Sequence, residues 1–174
     1  KKEIEKYIVK NKPVVIALNK FVKIKEKLID MYITCNPLRL LADVDFNKKI
    51  KVPIILPKSL LTKDTIKKLR KIKIYDYGVG IKENEFKIDK NFALIPKLYT
   101  VAYALSVATS GKAKRILLAG FDGYGQDDKR TKAVDNLFFT YIQAKNSREL
   151  IAVTPTTYSC KKTSIYALKK IEKN

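Results

Sequence analysis

"IPKLYTVAYALSVATSGKAKRILLAGFDGYGQDDKR" (Ile95–Arg130) decides how this chain folds. Its first half sets Leu98, Val101, Ala102, Leu105 and Ala108 along one stripe at helical spacing, and Gly111 stands where such a helix closes. "RILLAG" then reads as a continuous apolar strand. It breaks at once into a loop holding three glycines, three aspartates and one tyrosine. A helix that feeds a fully apolar strand is the unit of a parallel sheet covered on both faces. The carboxyl end of such a strand is where open α/β sheets hold their ligands.

The same alternation runs outward in both directions. "KKEIEKYIVKN" carries Ile4, Tyr7 and Ile8 at helical spacing and leads into the strand "PVVIALN" (Pro13–Asn19). "MYITC" (Met31–Cys35) is a second strand, followed by "NPLRLLAD", in which Asn36 caps and Pro37 opens a helix. "VPIIL" is a third strand, "SLLTKDTIKKLRK" a helix with Leu61, Ile66 and Leu69 on one face, and "KIKIYDYG" a fourth strand or edge piece. Beyond the central stretch, "DKRTKAVDNLFFTYIQAKNS" predicts a helix and "ELIAVTP" the last strand. The expected fold is α/β: a Rossmann-like three-layer sandwich around a mostly parallel, doubly wound sheet. Residues 1–174 read as one such domain. A fold of this kind opens on a strand whose turn carries a phosphate loop, whereas this sequence opens on a helix. The expectation is therefore a fragment without that first strand and loop, the C-terminal module of a larger protein.

Composition removes several chemistries. With no histidine and two cysteines far apart, Cys35 and Cys160, the chain offers no Ser-His-Asp triad, no Cys-His pair and no zinc-type ligand spacing. No apolar run approaches the ~20 residues of a membrane-spanning helix. The charged opening "KKEIEKYIVKNK" has no signal-peptide pattern, so a cytoplasmic location is expected. The net charge of +20 comes from 37 basic residues, of which five are arginine: Arg39, Arg70, Arg115, Arg130 and Arg148. Nucleic-acid recognition favours the arginine fork, and lysines spread in pairs over helix faces make a solvated surface instead.

Candidate ligand residues gather at strand ends. In "GFDGYGQDD", Gly120 and Gly123 would let the backbone approach a ligand, Asp122 would accept hydrogen bonds from a sugar or base, and Tyr124 would stack or meet phosphate. The competing reading is a turn in which the glycines take positive φ and Asp122 caps a neighbour. The order is not the GxGxxG dinucleotide fingerprint, and Asp122, Asp127 and Asp128 lack the spacing a divalent metal demands. Asn19 ends the first strand, where its amide can read a base or ribose or simply turn the chain. Asn36 with Arg39 one turn on could meet an anion at a helix start, or be a capped helix with a surface arginine. Thr154 leads "TPTT" behind the last strand, as a sugar or phosphate contact or as a threonine-proline turn. Tyr158 is expected in the core, and Tyr75, Tyr77, Tyr99, Tyr103, Tyr141 and Tyr166 at its boundary.

The succession "ALN", "TCNPLRLL", "RILLAGFDGY" and "IAVTPTTYSCKKTSIYAL" resembles the C-terminal domain of bacterial 4-hydroxy-2-oxovalerate-aldolase-like proteins, over nearly the whole chain. The resemblance implies an HMG-CoA-lyase-like barrel in front, a parent lyase from surface-carbohydrate clusters, and a "GxGPS" loop ahead of the first helix. More distantly, "ALN" and "LAGFDGY" are similar to bacterial CMP-sialic-acid sialyltransferases and to hydroxymethylpterin pyrophosphokinases. In the sialyltransferases an asparagine in the place of Asn19 and the loop in the place of Gly120 to Tyr124 contact the CMP donor. Their catalytic base is a histidine, and this chain has none.

Three functions follow as expectations. The first is an accessory domain that binds a nucleotide, nucleotide-sugar or similar phosphorylated ligand through Asn19, Asn36, Arg39, Gly120, Asp122, Gly123, Tyr124 and Thr154. The second is a glycosyl or diphosphate transferase in its own right, with Asp122, Asp127 or Tyr124 as base. The third is a structural module that docks the barrel or forms a homo-oligomer. No catalytic residue and no cofactor is assigned.

Overall fold

The computed structural model describes residues 1–20, 23–43, 49–125 and 128–171. Its order is helix α1 (Lys2–Asn11), β1 (Ile16–Leu18), β2 (Met31–Ile33), α2 (Pro37–Ala42), β3 (Ile54–Leu56), α3 (Lys63–Lys68), β4 (Ile74–Asp76), β5 (Gly78–Ile81), β6 (Lys87–Ile88), β7 (Phe92–Ile95), α4 (Thr100–Ser110), β8 (Arg115–Leu118), α5 (Lys129–Gln143), β9 (Glu149–Ala152), β10 (Lys161–Lys162) and α6 (Ile165–Ile171). Strands β1 to β4 form one sheet in sequence order, and β8, β9 and β10 a second; both are parallel throughout. The chain is thus α/β with mostly parallel sheets flanked by helices, a Rossmann-like sandwich as the alternation in the sequence predicts.

Period-two alternation sorts the strand residues onto two faces. On one face Ile33, Ile55, Leu118 and Leu150, with Ile16, Leu18 and Ile116 packed against them, share a single cluster with Ala102 and Leu105 of α4 and Leu137, Phe138 and Tyr141 of α5. On the other, Ala17, Tyr32, Ile54 and Leu56 pack with Leu40 of α2 and Leu69 behind α3. Ile151 and Val153, with Leu117, meet Tyr7 of α1 and Ile165 and Leu168 of α6 on that same second face. The first cluster therefore spans both parallel sheets, and helices cover both of their faces.

Helix ends follow local chemistry. Asn36 caps α2 by accepting the Arg39 N–H at 3.1 Å, with Pro37 at the first turn. Helix α4 closes differently from the expectation. Gly111 sits at φ −71°, and the left-handed residue is Lys112, at φ 59°. The Lys112 and Ala113 amides donate back to Thr109 and Ala108, a Schellman closure displaced one residue past the glycine.

Three readings of the sequence change. A further three-stranded sheet, β5–β7–β6, lies between the expected fourth strand and α4, with β5 parallel and β6 antiparallel to β7. "ELIAVTP" is not the last strand, because Lys161–Lys162 pairs beside it and α6 follows. Tyr77, Tyr103 and Tyr141 are buried in the core rather than at its boundary. Tyr103 donates to the Tyr77 carbonyl at 2.6 Å, and the Tyr141 hydroxyl lies 2.6 Å from Thr109 Oγ1. Tyr158 is in the core, as expected.

Candidate functional site at the carboxyl rim

The carboxyl ends of β1 and β8 lie at the same rim. Helix α4 leads into β8 through a short turn and so runs antiparallel to it. Thr100, the first residue of α4, hydrogen-bonds Asn19 at the end of β1. The start of α4 thereby marks the carboxyl end of both strands. On the second face the chain steps from β1 to β2, β3 and β4; on the first, α5 carries it from β8 to β9. The two halves wind outward in opposite directions from between β1 and β8. That boundary is the topological switch point, where open α/β sheets form their binding crevice.

Asn19 occupies the β1 side of the rim. It holds a left-handed backbone, φ 56°, which asparagine tolerates better than most residues. Its N–H donates to Ile33 at 3.0 Å, and its Oδ1 accepts from the Thr34 and Thr100 hydroxyls, each at 3.4 Å. With the oxygen so engaged, the Nδ2 donors are what Asn19 offers outward. A shallow depression, open to solvent, is lined by Asn19, Lys20, Thr34, Arg39 and Asp43 over the apolar floor of Ile33, Leu40 and Ile54. It admits little more than one water-sized group, so a ligand would meet its polar rim from outside rather than sink into it. Lys20 reaches Asp43 at 3.5 Å across it. Asn36 stands apart, on an adjoining apolar hollow with Pro37, Leu56 and Leu60, its side-chain oxygen used as the α2 cap.

Below Asn19, Cys35 is buried with its Sγ 3.9 Å from Thr100 Oγ1. Burial pushes its thiol up to about 11, so it stays neutral and unreactive at ordinary pH.

The glycine loop occupies the β8 side, and it is largely bound to its own neighbours. The Gly120 N–H donates to Thr154 Oγ1 at 2.9 Å. The Thr157 N–H donates to the Asp122 carbonyl at 3.0 Å, and the Thr157 hydroxyl lies 3.4 Å from the Asp122 and Tyr124 carbonyls. Gly120 and Gly123 both take positive φ, 76° and 92°. A Cβ on Gly123 would fall 1.9 Å from Thr157 Oγ1, while one on Gly120 would meet nothing within 4 Å. Both glycines take the positive φ of the turn reading; at Gly123 the Thr157 side chain also closes the space, and at Gly120 it is open.

One acid of the loop, Asp128, has a local structural role. Asp128 caps α5 through the Arg130 N–H at 2.8 Å and grips the Arg130 guanidinium, Oδ2 to Nη2, at 2.6 Å. The Arg130 side chain holds the Asp128 carboxyl well below its usual range, at about 2. Arg130 also lies 3.9 Å over the Tyr124 ring, which covers one face of the tyrosine. Asp122 is exposed, and its carboxylate meets no ion-pair partner among the described residues. Asp127 falls outside the described residues. Among those described, no three of His, Cys, Asp and Glu gather as a metal site.

Of the sequence candidates, the fold brings Asn19 and Arg39 together on one depression, and Gly120, Asp122, Gly123, Tyr124 and Thr154 together on one clamped loop pair. None of the second set lines the depression of the first. Sequence reading missed Lys20, Thr34, Asp43 and Thr100, which shape the Asn19 side. Thr34 was within reach as a strand-end hydroxyl beside Asn36, whereas nothing local links Thr100 to Asn19. No helix among the described residues is long and apolar enough to cross a membrane. Compared with known proteins, the chain matches no family model, no curated protein and no solved structure.

Proposed function

We propose that the rim at the switch point binds a phosphorylated, nucleotide-type ligand, with the polar edge of the depression at Asn19 and Arg39 meeting its phosphate or ribose. The observation behind this reading is the set of groups left outward there: Asn19 with its oxygen engaged and its amide donors free to address a ligand, and Arg39 without an ion-pair partner among the described residues. A guanidinium and an amide donor side by side suit an anion and a hydroxyl. The resemblance drawn from the sequence extends this to an accessory module of an aldolase-like parent acting on surface carbohydrate, with a nucleotide-sugar as ligand. Without histidine, and with Cys35 held neutral by burial, a transferase reading falls back on Asp122, Asp127 or Tyr124 as base; Asp122 and Tyr124 do not line the depression, which favours binding there.

Thermal unfolding with CMP and a CMP-sugar tests the reading. A ligand at a hundredfold its Kd stabilises by about 2.7 kcal/mol. For a chain of this size that corresponds to a shift of roughly 5 °C or more. Arg39→Ala is expected to weaken binding about tenfold or more with the unliganded midpoint nearly unchanged; Asn19→Gly, which keeps the left-handed backbone but removes the acceptor of the Thr34 and Thr100 hydroxyls, is expected to weaken binding as much and also to lower the unliganded midpoint. Equal stabilisation of both variants and the parent chain would remove the depression from the account.

A further inference from the structure

The two parallel sheets meet at the switch point without a described strand joining them. β1 pairs with β2 on one side, β8 with β9 on one side, and neither has a second partner among the described strands. The backbone shows which groups face the gap. On β1, the Val15 carbonyl and the Asn19 N–H bond to β2, so alternation turns the amides and carbonyls of Ile16 and Leu18 the other way. On β8, the Leu118 carbonyl accepts from Val153 behind β9, so Leu117 and Ala119 turn toward the gap.

Burial agrees. The inner strands of a doubly wound sheet are normally its driest. Here β3 is buried at all three residues and β9 at three of four, whereas Ile16, Leu18, Ile116 and Leu117 beside the gap are only half-buried. The gap is roofed nonetheless. Helix α4 packs against β1 and shares its cluster with Ile116 and Leu118 of β8; α1 covers Leu117 on the opposite face through Tyr7. A helix about 10 Å across spans about two strand spacings, which leaves room for one strand beneath it.

We infer that the gap between β1 and β8 is a slot for one further extended, apolar strand, parallel to both, supplied by residues joined ahead of Lys1. The occupant follows from handedness. Helix α1 lies on the same face as α2 and α3, whose connections carry the chain from β1 toward β4. Crossovers between parallel strands are right-handed. A strand that enters α1 on that face must therefore lie next to β1 on the side away from β2, which is the slot. The carboxyl end of this strand emerges at the rim between Asn19 and Gly120, so its following turn faces both halves of the candidate site. The slot rests on the sheet edges alone and stands whether or not the rim binds a nucleotide.

Amide hydrogen exchange tests it on three proteins: the 174-residue chain, the chain extended ahead of Lys1 by about five alternating valines and isoleucines with a short glycine-serine turn, and a chain with a glycine-serine extension of equal length. In the first and third proteins Ile16, Leu18 and Leu117 are expected to exchange fast, although the neighbouring Asn19 and Val153 amides are protected. In the second all three are expected to slow together by about tenfold or more. Three results would overturn the inference: protection of these amides in the 174-residue chain equal to that of Ile54 and Ile55; no slowing with the apolar extension; or slowing at one edge only. Protection that rises with protein concentration in the 174-residue chain would assign the edges to a second copy, and would also overturn it.

Discussion

The two sides of the rim are built from similar residues and have used them differently. On the β8 side, the Gly120 amide, the Asp122 and Tyr124 carbonyls, the Asp128 carboxylate and one face of the Tyr124 ring are engaged by Thr154, Thr157 and Arg130. On the β1 side, the internal bonds of Asn19 orient the amide and leave its donors outward, and Arg39 remains beside it. Internal hydrogen bonds on one side consume the groups a ligand would need, and on the other they aim them. A glycine-rich, acidic loop is thus a weaker guide to binding than a single oriented amide.

The comparison can be broken most forcefully at Gly123. A side chain there meets positive φ and the Thr157 side chain together, so Gly123→Val is expected to cost about 2–3 kcal/mol in denaturant unfolding. Gly120→Ala faces positive φ with open space around it and is expected to cost about 1 kcal/mol. Equal costs at the two positions would mean that Thr157 does not clamp the loop.

The smallest effect is expected at Asp128. Its carboxyl is held at about 2, below the ordinary carboxylate value of roughly 3.9. A depressed group contributes stability that is fully present above the unfolded value and is lost as pH falls through the folded one. Stability followed from pH 5 down to pH 2 is therefore expected to decline less steeply in Asp128→Asn than in the parent. Arg130 is exposed and Asp128 only half-buried, so the gain is small and screened by salt. An unchanged pH slope would show that the pair with Arg130 adds nothing to folding.

How much of this was legible in the sequence depends on how local each signal is. The strand ends at Asn19, Asn36, Gly120 and Thr154 follow from apolar runs bounded by turn residues, and all four lie where the sequence puts them. The β5–β7–β6 sheet was not legible from its charged run "KENEFKIDK" and the glycines ahead of it. Yet a Cβ on Gly78 or Gly80 would come within 2.8 Å of Phe92 or Leu94, so these glycines make room for cross-strand side chains. The paired runs "FKI" and "FALI" around a three-residue turn were the available sign of a hairpin. Lys112 carries the left-handed turn after α4 because the Schellman bonds count from the last helical residue, not from the nearest glycine. The clamping of the loop by Thr154 and Thr157 depends on β8 pairing with β9, a contact about 35 residues apart in sequence that no local pattern encodes.

The claim that the β1 side of the rim is the binding half is tested most directly by residue-resolved NMR titration of the chain with CMP at about 150 mM salt. The account predicts saturable shifts of the Asn19 side-chain amide and of Arg39, with Gly123 and Tyr124 unmoved. Shifts confined to the Gly120–Tyr124 loop would contradict it. So would shifts scattered over the lysine surface that vanish on raising the salt, since a net charge of +20 attracts any polyanion.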